Sequence, residues 1–302
     1  MTPHPIDVIV CTHNRAGRLA TLLRAMGQQT APASSFGVLV VDDGSTDGTE
    51  SLCRDFAQSM PNLWYERNRI NMGLANARNI GIAMTTAPLL AFTDDDCIPG
   101  RDWVDRMLRA LNDSPIVAGA IESPTDDFWI LCHNIGQFHP FLNSRKGRTT
   151  RFIAGANMGF RREVLESLGG FEPDRVMAED MECVLRAGRA GIGVTFRPEV
   201  VVRHVPPRAG LRELLAYAAD HARGTVHLRR SYRTELGIPA FALSPTFLAL
   251  FSPIIGVLTA CRIFLSDPVL ITRHPATFPV VCALKTAWCI GACRGLLARK
   301  EP

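Results

Sequence analysis

Along the first two hundred or so residues, short apolar runs alternate with stretches of helical spacing, and polar clusters punctuate the changeovers. Ile6 to Cys11 is a β-branched run that predicts a buried strand; Thr12, His13 and Asn14 close it, and apolar residues at helical spacing run from Arg18 through Met26. Val38 to Val41 predicts a second strand ending in Asp42-Asp43-Gly44-Ser45-Thr46-Asp47, whose Ser and Asp suit the cap of a helix reaching Phe56. A short strand at Leu63 to Tyr65, a polar loop, a helix from Ala75 to Met84 and the apolar strand Leu89 to Phe92 follow. That strand runs directly into Asp94, Asp95 and Asp96. Alternating strands and helices imply a mostly parallel α/β sheet, in which ligands sit beyond the carboxyl ends of the strands. The clusters 12–14, 42–47 and 94–96 all fall on that edge.

A helix from Trp103 to Leu111, a strand from Ile116 to Ala120, a strand from Ile153 to Phe160, helices at Arg162–Leu168 and Glu179–Gly188, and strands from Val194 to Val202 broken at Pro198 complete this part. Periodicity resolves no element between Glu122 and Arg151. The Pro206-Pro207 pair marks a boundary, giving a catalytic α/β domain over 1–207 and a helical region over 208–302. In the second region Leu211 to Arg230 has helical spacing, and Ile238 to Cys261 carries no charge over a length that suffices to span a bilayer. Pro239, Pro245 and Pro253 interrupt it, so an interfacial or re-entrant helix is as consistent as a straight span; Pro275 to Leu297 is a second apolar stretch, divided by Lys285 and Arg294.

Charge sharpens that division. Residues 1–202 hold 20 Lys+Arg against 24 Asp+Glu, whereas residues 203–302 hold 13 against 5. A basic, apolar segment fits an anionic membrane surface, with an all-α tail packed on the core as the plainer alternative. Nine cysteines at irregular spacing, without a C-x-x-C pair, form neither a disulfide framework nor a zinc pattern and favour a reducing compartment. Met1 to Asp7 lacks the pattern of a signal peptide, which predicts a cytoplasmic active domain.

Three adjacent carboxylates at the end of a buried strand repel one another unless a cation neutralises them, and Mg²⁺ or Mn²⁺, bound through oxygen, also bridges to substrate phosphates. A turn or helix cap is the alternative for the triplet, as a capping turn is for Asp42-Asp43 and capping of a helix start is for Glu179-Asp180.

The ordered set of motifs from Ile6 to His204 resembles the family 2 glycosyltransferases of the GT-A fold. Val8 to Asn14 (VIVCTHN) is similar to the opening strand and nucleotide loop, Val40 to Asp47 (VVDDGSTD) to the second-strand signature whose carboxylates hold the nucleoside, Asn71 to Asn79 (NMGLANARN) to the segment near the donor, and Asp94 to Asp96 to the D-x-D metal motif. Gly155 to Arg161 and Gly169 to Phe171 resemble the acceptor side, and Glu179-Asp180 the pair that supplies the catalytic base.

The resemblance implies a metal-dependent, inverting transfer of one sugar from a nucleotide-sugar to a glycan or lipid-linked acceptor, in envelope or exopolysaccharide synthesis, on the cytoplasmic side of the cell membrane. Its donor-site residues are Cys11, Thr12, His13, Asn14, Asp43, Asn71, Gly73, Arg78, Asp94 and Asp95; its metal ligands are Asp94, Asp96 and His204; Asp180, with Glu179, is catalytic. Arg78 is either a contact to the donor or a local ion-pair partner. His13 replaces the aromatic residue of many relatives, and the Q-x-x-R-W of processive synthases is absent after Glu179-Asp180. Nucleotidyl transfer and non-catalytic nucleotide-sugar binding are the competing functions; a nucleic-acid partner is not expected.

Overall fold

A computed structural model describes residues 4–298. The chain divides into two compact units, one of residues 1–122 and 141–206, the other of 123–140 and 207–302.

The first unit is built on one nine-stranded sheet. Ile6–Thr12 (β1) pairs in parallel with Phe36–Asp42 (β2) and Leu89–Thr93 (β4), and β2 pairs in parallel with Leu63–Arg67 (β3). Both faces of β1 and β2 are buried, which is why these strands read as unbroken apolar runs. Ala16–Met26 (α1), Thr49–Ala57 (α2) and Leu74–Met84 (α3) make the crossovers. Past β4 the sheet turns mixed: Asn157–Arg161 (β8) runs antiparallel to β4 and to Ile116–Glu122 (β6). Val194–His204 (β9) then pairs in parallel with β6 and antiparallel with Cys97–Pro99 (β5) and Arg148–Thr150 (β7). Trp103–Asp113 (α4), Arg162–Leu168 (α6) and Glu179–Arg189 (α7) complete this unit.

Two local readings change. Strand pairing from Ile153 onward begins only at Asn157, because 153–156 turn to bring the Gly155 amide to the Asp180 carboxylate. Pro198 does not break β9; the register slips between Gly119, opposite Arg197, and Ala120, opposite Val201, so Pro198 lies in a bulge that a residue without an N–H tolerates. The slip leaves carbonyls without ladder partners, and buried Asn157 meets them: its Nδ2 donates to Ala120 O at 2.9 Å and Val200 O at 2.8 Å while its Oδ1 accepts from Trp103 Nε1 at 2.9 Å. Asn157→Ala, which strands two carbonyls and an indole N–H in a dry interior, is expected to destabilise the unit by about 3 kcal/mol; urea unfolding monitored by circular dichroism measures it, and a loss below about 1 kcal/mol would mean that water replaces the amide.

The second unit is helical. Phe128–Phe138 (α5), from the stretch that periodicity left unresolved, is capped by Asp127 and joins Leu211–Ser231 (α8), Pro245–Leu265 (α9), Pro268–Arg273 (α10) and Phe278–Leu297 (α11). Ala222, Val226, Leu248, Ala292 and Cys293 form its core, with Cys132, Leu214 and Leu284 as a second cluster. Pro245 sits at the first turn of α9 behind the Ser244 cap, and Pro253 is carried inside the helix. Residues 245–265 and 275–297 have mean hydropathies of 2.0 and 1.5 and are long and apolar enough to cross a membrane. The nine cysteines are free thiols.

Candidate active site

The carboxyl ends of β1, β2 and β4 bring the three polar clusters into contact. Thr12 lies opposite Asp42 in the parallel ladder, and its Oγ1 donates to Asp95 Oδ2 at 2.7 Å. His13 Nδ1 lies 2.9 Å from the Asp43 carbonyl, which can only accept, so this nitrogen carries the proton and Nε2 accepts from Asn14 Nδ2 at 3.0 Å. Asn14 adopts a left-handed backbone (φ 54°), donates its amide to Ser45 Oγ at 2.8 Å and receives the Thr46 amide on Oδ1 at 2.8 Å. Loop 12–14 is thus stitched to loop 42–47.

The two aspartates of the second strand are occupied by the protein itself. Asp42 accepts from Tyr65 Oη at 2.6 Å and from the Ser45 amide at 2.8 Å. Asp43 Oδ1 accepts from Asn68 Nδ2 and the Met72 amide, and Oδ2 from the Gly73 amide at 2.8 Å. Asp43 therefore moulds the 68–73 loop that carries Asn71 and Gly73. Gly44, at φ 81°, lies so close to that loop that a Cβ would stand 2.8 Å from the Ile70 carbonyl carbon, so only glycine lets the two loops meet.

In the triplet the three carboxylates diverge. Asp95 is buried, held by Thr12 and by Arg15 Nη1 at 3.0 Å, and burial pushes it up to about 6 despite Arg15. Asp96 faces His204: its Oδ1 lies 3.4 Å from His204 Nε2 and, though buried, has no hydrogen-bond partner. Burial would raise Asp96, but the His204 ring and then the Arg15 guanidinium, 3.6 Å away, hold it below the ordinary carboxylate range. Ligand atoms of Asp96, His204 and Cys97 lie within 4.8 Å of one another. Burial drives the Cys97 thiol far up, and it donates to the Ala156 carbonyl, so it stays protonated. The unsatisfied carboxylate oxygen beside an imidazole is what a hard divalent cation would complete.

Arg78, on α3, ties the parts together. Buried, it pairs with Glu179, reaches Asp94 Oδ1 and the Gly155 carbonyl at 3.3 Å each, and lies over the Phe171 ring at 5.5 Å. One side chain thereby links the triplet, the acceptor-side segment and the start of α7. Burial pushes Glu179 up to about 7 even with Arg78 beside it, with Asp180 adding to the shift. Asp180 is only part-buried; its Oδ2 accepts the Gly155 amide at 2.7 Å, and a Cβ on Gly155 would sit 2.9 Å from that oxygen. Cys11 lies among these charges, and burial lifts its thiol to about 12, leaving it neutral.

The structure therefore gathers Cys11, Thr12, His13, Asn14, Asp43, Asn71, Gly73, Arg78, Asp94, Asp95, Asp96, Glu179, Asp180 and His204 at one edge of the sheet. Arg78 is engaged in ion pairs with Glu179 and Asp94. Arg15 is the one the sequence does not point to: it follows the nucleotide loop directly, but nothing in the chain indicates that it reaches residues eighty positions away.

A sequence profile for glycosyl transferase family 2 matches residues 7–169, and one for glycosyl transferase family group 2 matches residues 126–296. Glycosyltransferase AglE of Haloferax volcanii is 29% identical over 251 residues, 82% of this chain and 81% of that protein. The O-antigen chain rhamnosyltransferase RfbN of Salmonella typhimurium is 28% identical over 66% of each chain. The structure of the mannosyltransferase PcManGT from Pyrobaculum calidifontis, in complex with GDP-Man and Mn²⁺, superposes with a TM-score of 0.69 at 25% identity, covering 98% of this chain and 88% of that one. The mixed α/β, GT-A-like architecture expected from the motifs is thus the one observed.

Proposed function

Because the chain belongs to glycosyl transferase family 2 and is an enzyme that transfers sugars, we propose that it moves a single sugar from a nucleoside-diphosphate-sugar to an acceptor hydroxyl with inversion, at the cytoplasmic face of a membrane and in the building of envelope or exopolysaccharide glycans. The observation that carries this reading is the Arg78 hub, which binds the aspartate triplet and the Glu179-Asp180 helix start into one constellation.

In this mechanism the 12–14 and 42–47 loops seat the nucleoside, with Asn71 and Gly73 presented by the loop that Asp43 braces. Asp96 and His204, with Asp94 across the triplet, would hold Mg²⁺ or Mn²⁺. Such an ion supplies positive charge to the departing diphosphate. Asp180 accepts the proton of the acceptor hydroxyl as that oxygen attacks the anomeric carbon, and the nucleoside diphosphate leaves from the opposite face. The Gly155 amide holds the Asp180 carboxylate in position, and Glu179 holds Arg78 rather than the substrate. The two apolar helices of the second unit supply the membrane contact, which suits a lipid-linked acceptor.

A panel of nucleotide-sugars, with and without Mn²⁺, tests the donor assignment. GDP-mannose comes first, since PcManGT was solved with GDP-Man and Mn²⁺. A matching donor at about 100 times its Kd stabilises the fold by roughly 2.7 kcal/mol, and this shift should require the metal. A panel in which no nucleotide-sugar raises the melting temperature, with or without Mn²⁺, would sink the reading.

A further inference from the structure

Arg78 can meet Glu179, Asp94 and the Gly155 carbonyl together only if its long side chain is held in one place. The residue beside it on α3 supplies the hold. Asn79 Nδ2 donates to the Phe171 carbonyl at 2.7 Å, and Asn79 Oδ1 accepts the Phe171 amide at 2.9 Å. An amide side chain suits this role, since it offers a donor and an acceptor to the two backbone groups of a single residue. The Phe171 ring then returns beneath the guanidinium, with Arg78 Cζ 5.5 Å from its centroid. Two consecutive residues of α3 and one residue of a distant turn thereby close a ring of contacts around Arg78.

The turn is shaped for that approach. Gly170 has φ 77°, and a Cβ there would stand 2.6 Å from Asn79 Oδ1, so only glycine lets the amide reach Phe171. From the other side Arg186 of α7 donates to the Leu168 and Gly170 carbonyls, while its Nε pairs with Glu182. Segment 168–171 is thus fastened both to α3, which carries Arg78, and to α7, which begins with Glu179 and Asp180. The Phe171 ring is fully buried, nearly perpendicular to Phe92 and Phe160, so it is out of an acceptor's reach.

We propose that Asn79 and Phe171 are positioning residues for the transfer: they hold Arg78 against Glu179 and so fix the start of α7, from which Asp180 meets the acceptor. The turn from Gly169 to Phe171 serves the acceptor side through Arg78 and not by contact. The proposal rests on the reading of Asp180 as the base.

Two measurements on the full chain test it. The first needs no substrate. In NMR spectra of the isotope-labelled protein, the Arg78 guanidinium N–H signals, identified by their absence in Arg78→Lys, should shift and broaden in Asn79→Ala. Arg162→Gln removes hydrogen bonds to the Ile82 and Ala87 carbonyls and to Thr85 Oγ1 at the carboxyl end of α3, and it should leave those signals in place. Unchanged signals in Asn79→Ala would overturn the hold on Arg78.

The second follows single-turnover hydrolysis of the nucleotide-sugar selected by the donor panel, with Mn²⁺ present and water in place of the acceptor. Asn79→Ala and Phe171→Leu, which remove different atoms of the clamp, should each lower the rate roughly 30-fold while the donor's Kd moves less than about threefold. Added to Arg78→Lys, Asn79→Ala should cost less than about threefold more, because the group that the clamp holds is already gone. A further loss of roughly 30-fold in that background would overturn action through Arg78. An equal loss in Arg162→Gln would overturn positioning in favour of a general loosening of α3, and a Kd that rises as the rate falls would overturn it in favour of donor binding. Melting curves establish that each variant folds, and Phe171→Leu is read alone if Asn79→Ala does not. A panel that selects no donor defeats the transfer reading, while the guanidinium signals still decide whether the clamp holds Arg78.

Discussion

Asp180→Asn lowers kcat by about a thousandfold, equivalent to roughly 4 kcal/mol of transition-state stabilisation, while the donor's Kd moves by less than about threefold. The reason is local. Asn keeps one oxygen that can accept the Gly155 amide, so the 153–156 turn persists, while the Met181 amide, 2.6 Å from the other Asp180 oxygen, loses its acceptor at a modest cost to the start of α7. What disappears is a carboxylate able to take the acceptor's proton. Single-turnover transfer measured beside donor binding by calorimetry separates the two effects, and full activity in the variant would refute the assignment of the base. Glu179→Gln offers a contrast: it removes the ionic partner of buried Arg78 and is expected to lower stability as well as rate, because breaking a buried pair leaves the remaining charge uncompensated.

Asp96→Asn is expected to cut kcat/KM by about two to three orders of magnitude and to abolish the Mn²⁺-dependent part of donor stabilisation. Asp96 Oδ1, buried 3.4 Å from His204 Nε2, accepts no hydrogen bond, so its charge is what the site offers to a cation. Asp95 differs: Thr12 and Arg15 occupy both of its oxygens, and Asp95→Asn should act on loop 12–15 and on stability more than on metal affinity. Titrating Mn²⁺ into each variant in the presence of the donor distinguishes them. Equal loss of metal dependence in both would mean that the triplet acts only as a pool of negative charge.

Much of this site is legible along the chain because its parts are local. Strands β1, β2 and β4 are continuous apolar runs since both faces of the sheet are covered, and the polar residues that end them must lie at the carboxyl edge where parallel strands finish. Asp94 to Asp96 could therefore be placed without knowing what surrounds them. Residues 123–140 were illegible for the opposite reason: α5 has few polar positions to give it a period, and it packs with helices more than seventy residues further on. The β9 bulge was equally hidden, since a register slip belongs to two strands and is filled by Asn157 from a third.

The sequence by itself determined the alternation of strands and helices, the edge on which chemistry collects and the residue types offered there, because each depends on neighbours within a turn or a strand. Tertiary structure alone decided what each charge does. Asp42, Asp43 and Asp95 are taken up by hydrogen bonds from the protein, whereas Asp96 retains an oxygen without one and Asp180 stays part-exposed. Arg78 and Arg15 become hubs because folding brings them against carboxylates scores of residues away. A carboxylate's availability depends on which donors reach it through space, and such long-range approach leaves no period in the chain.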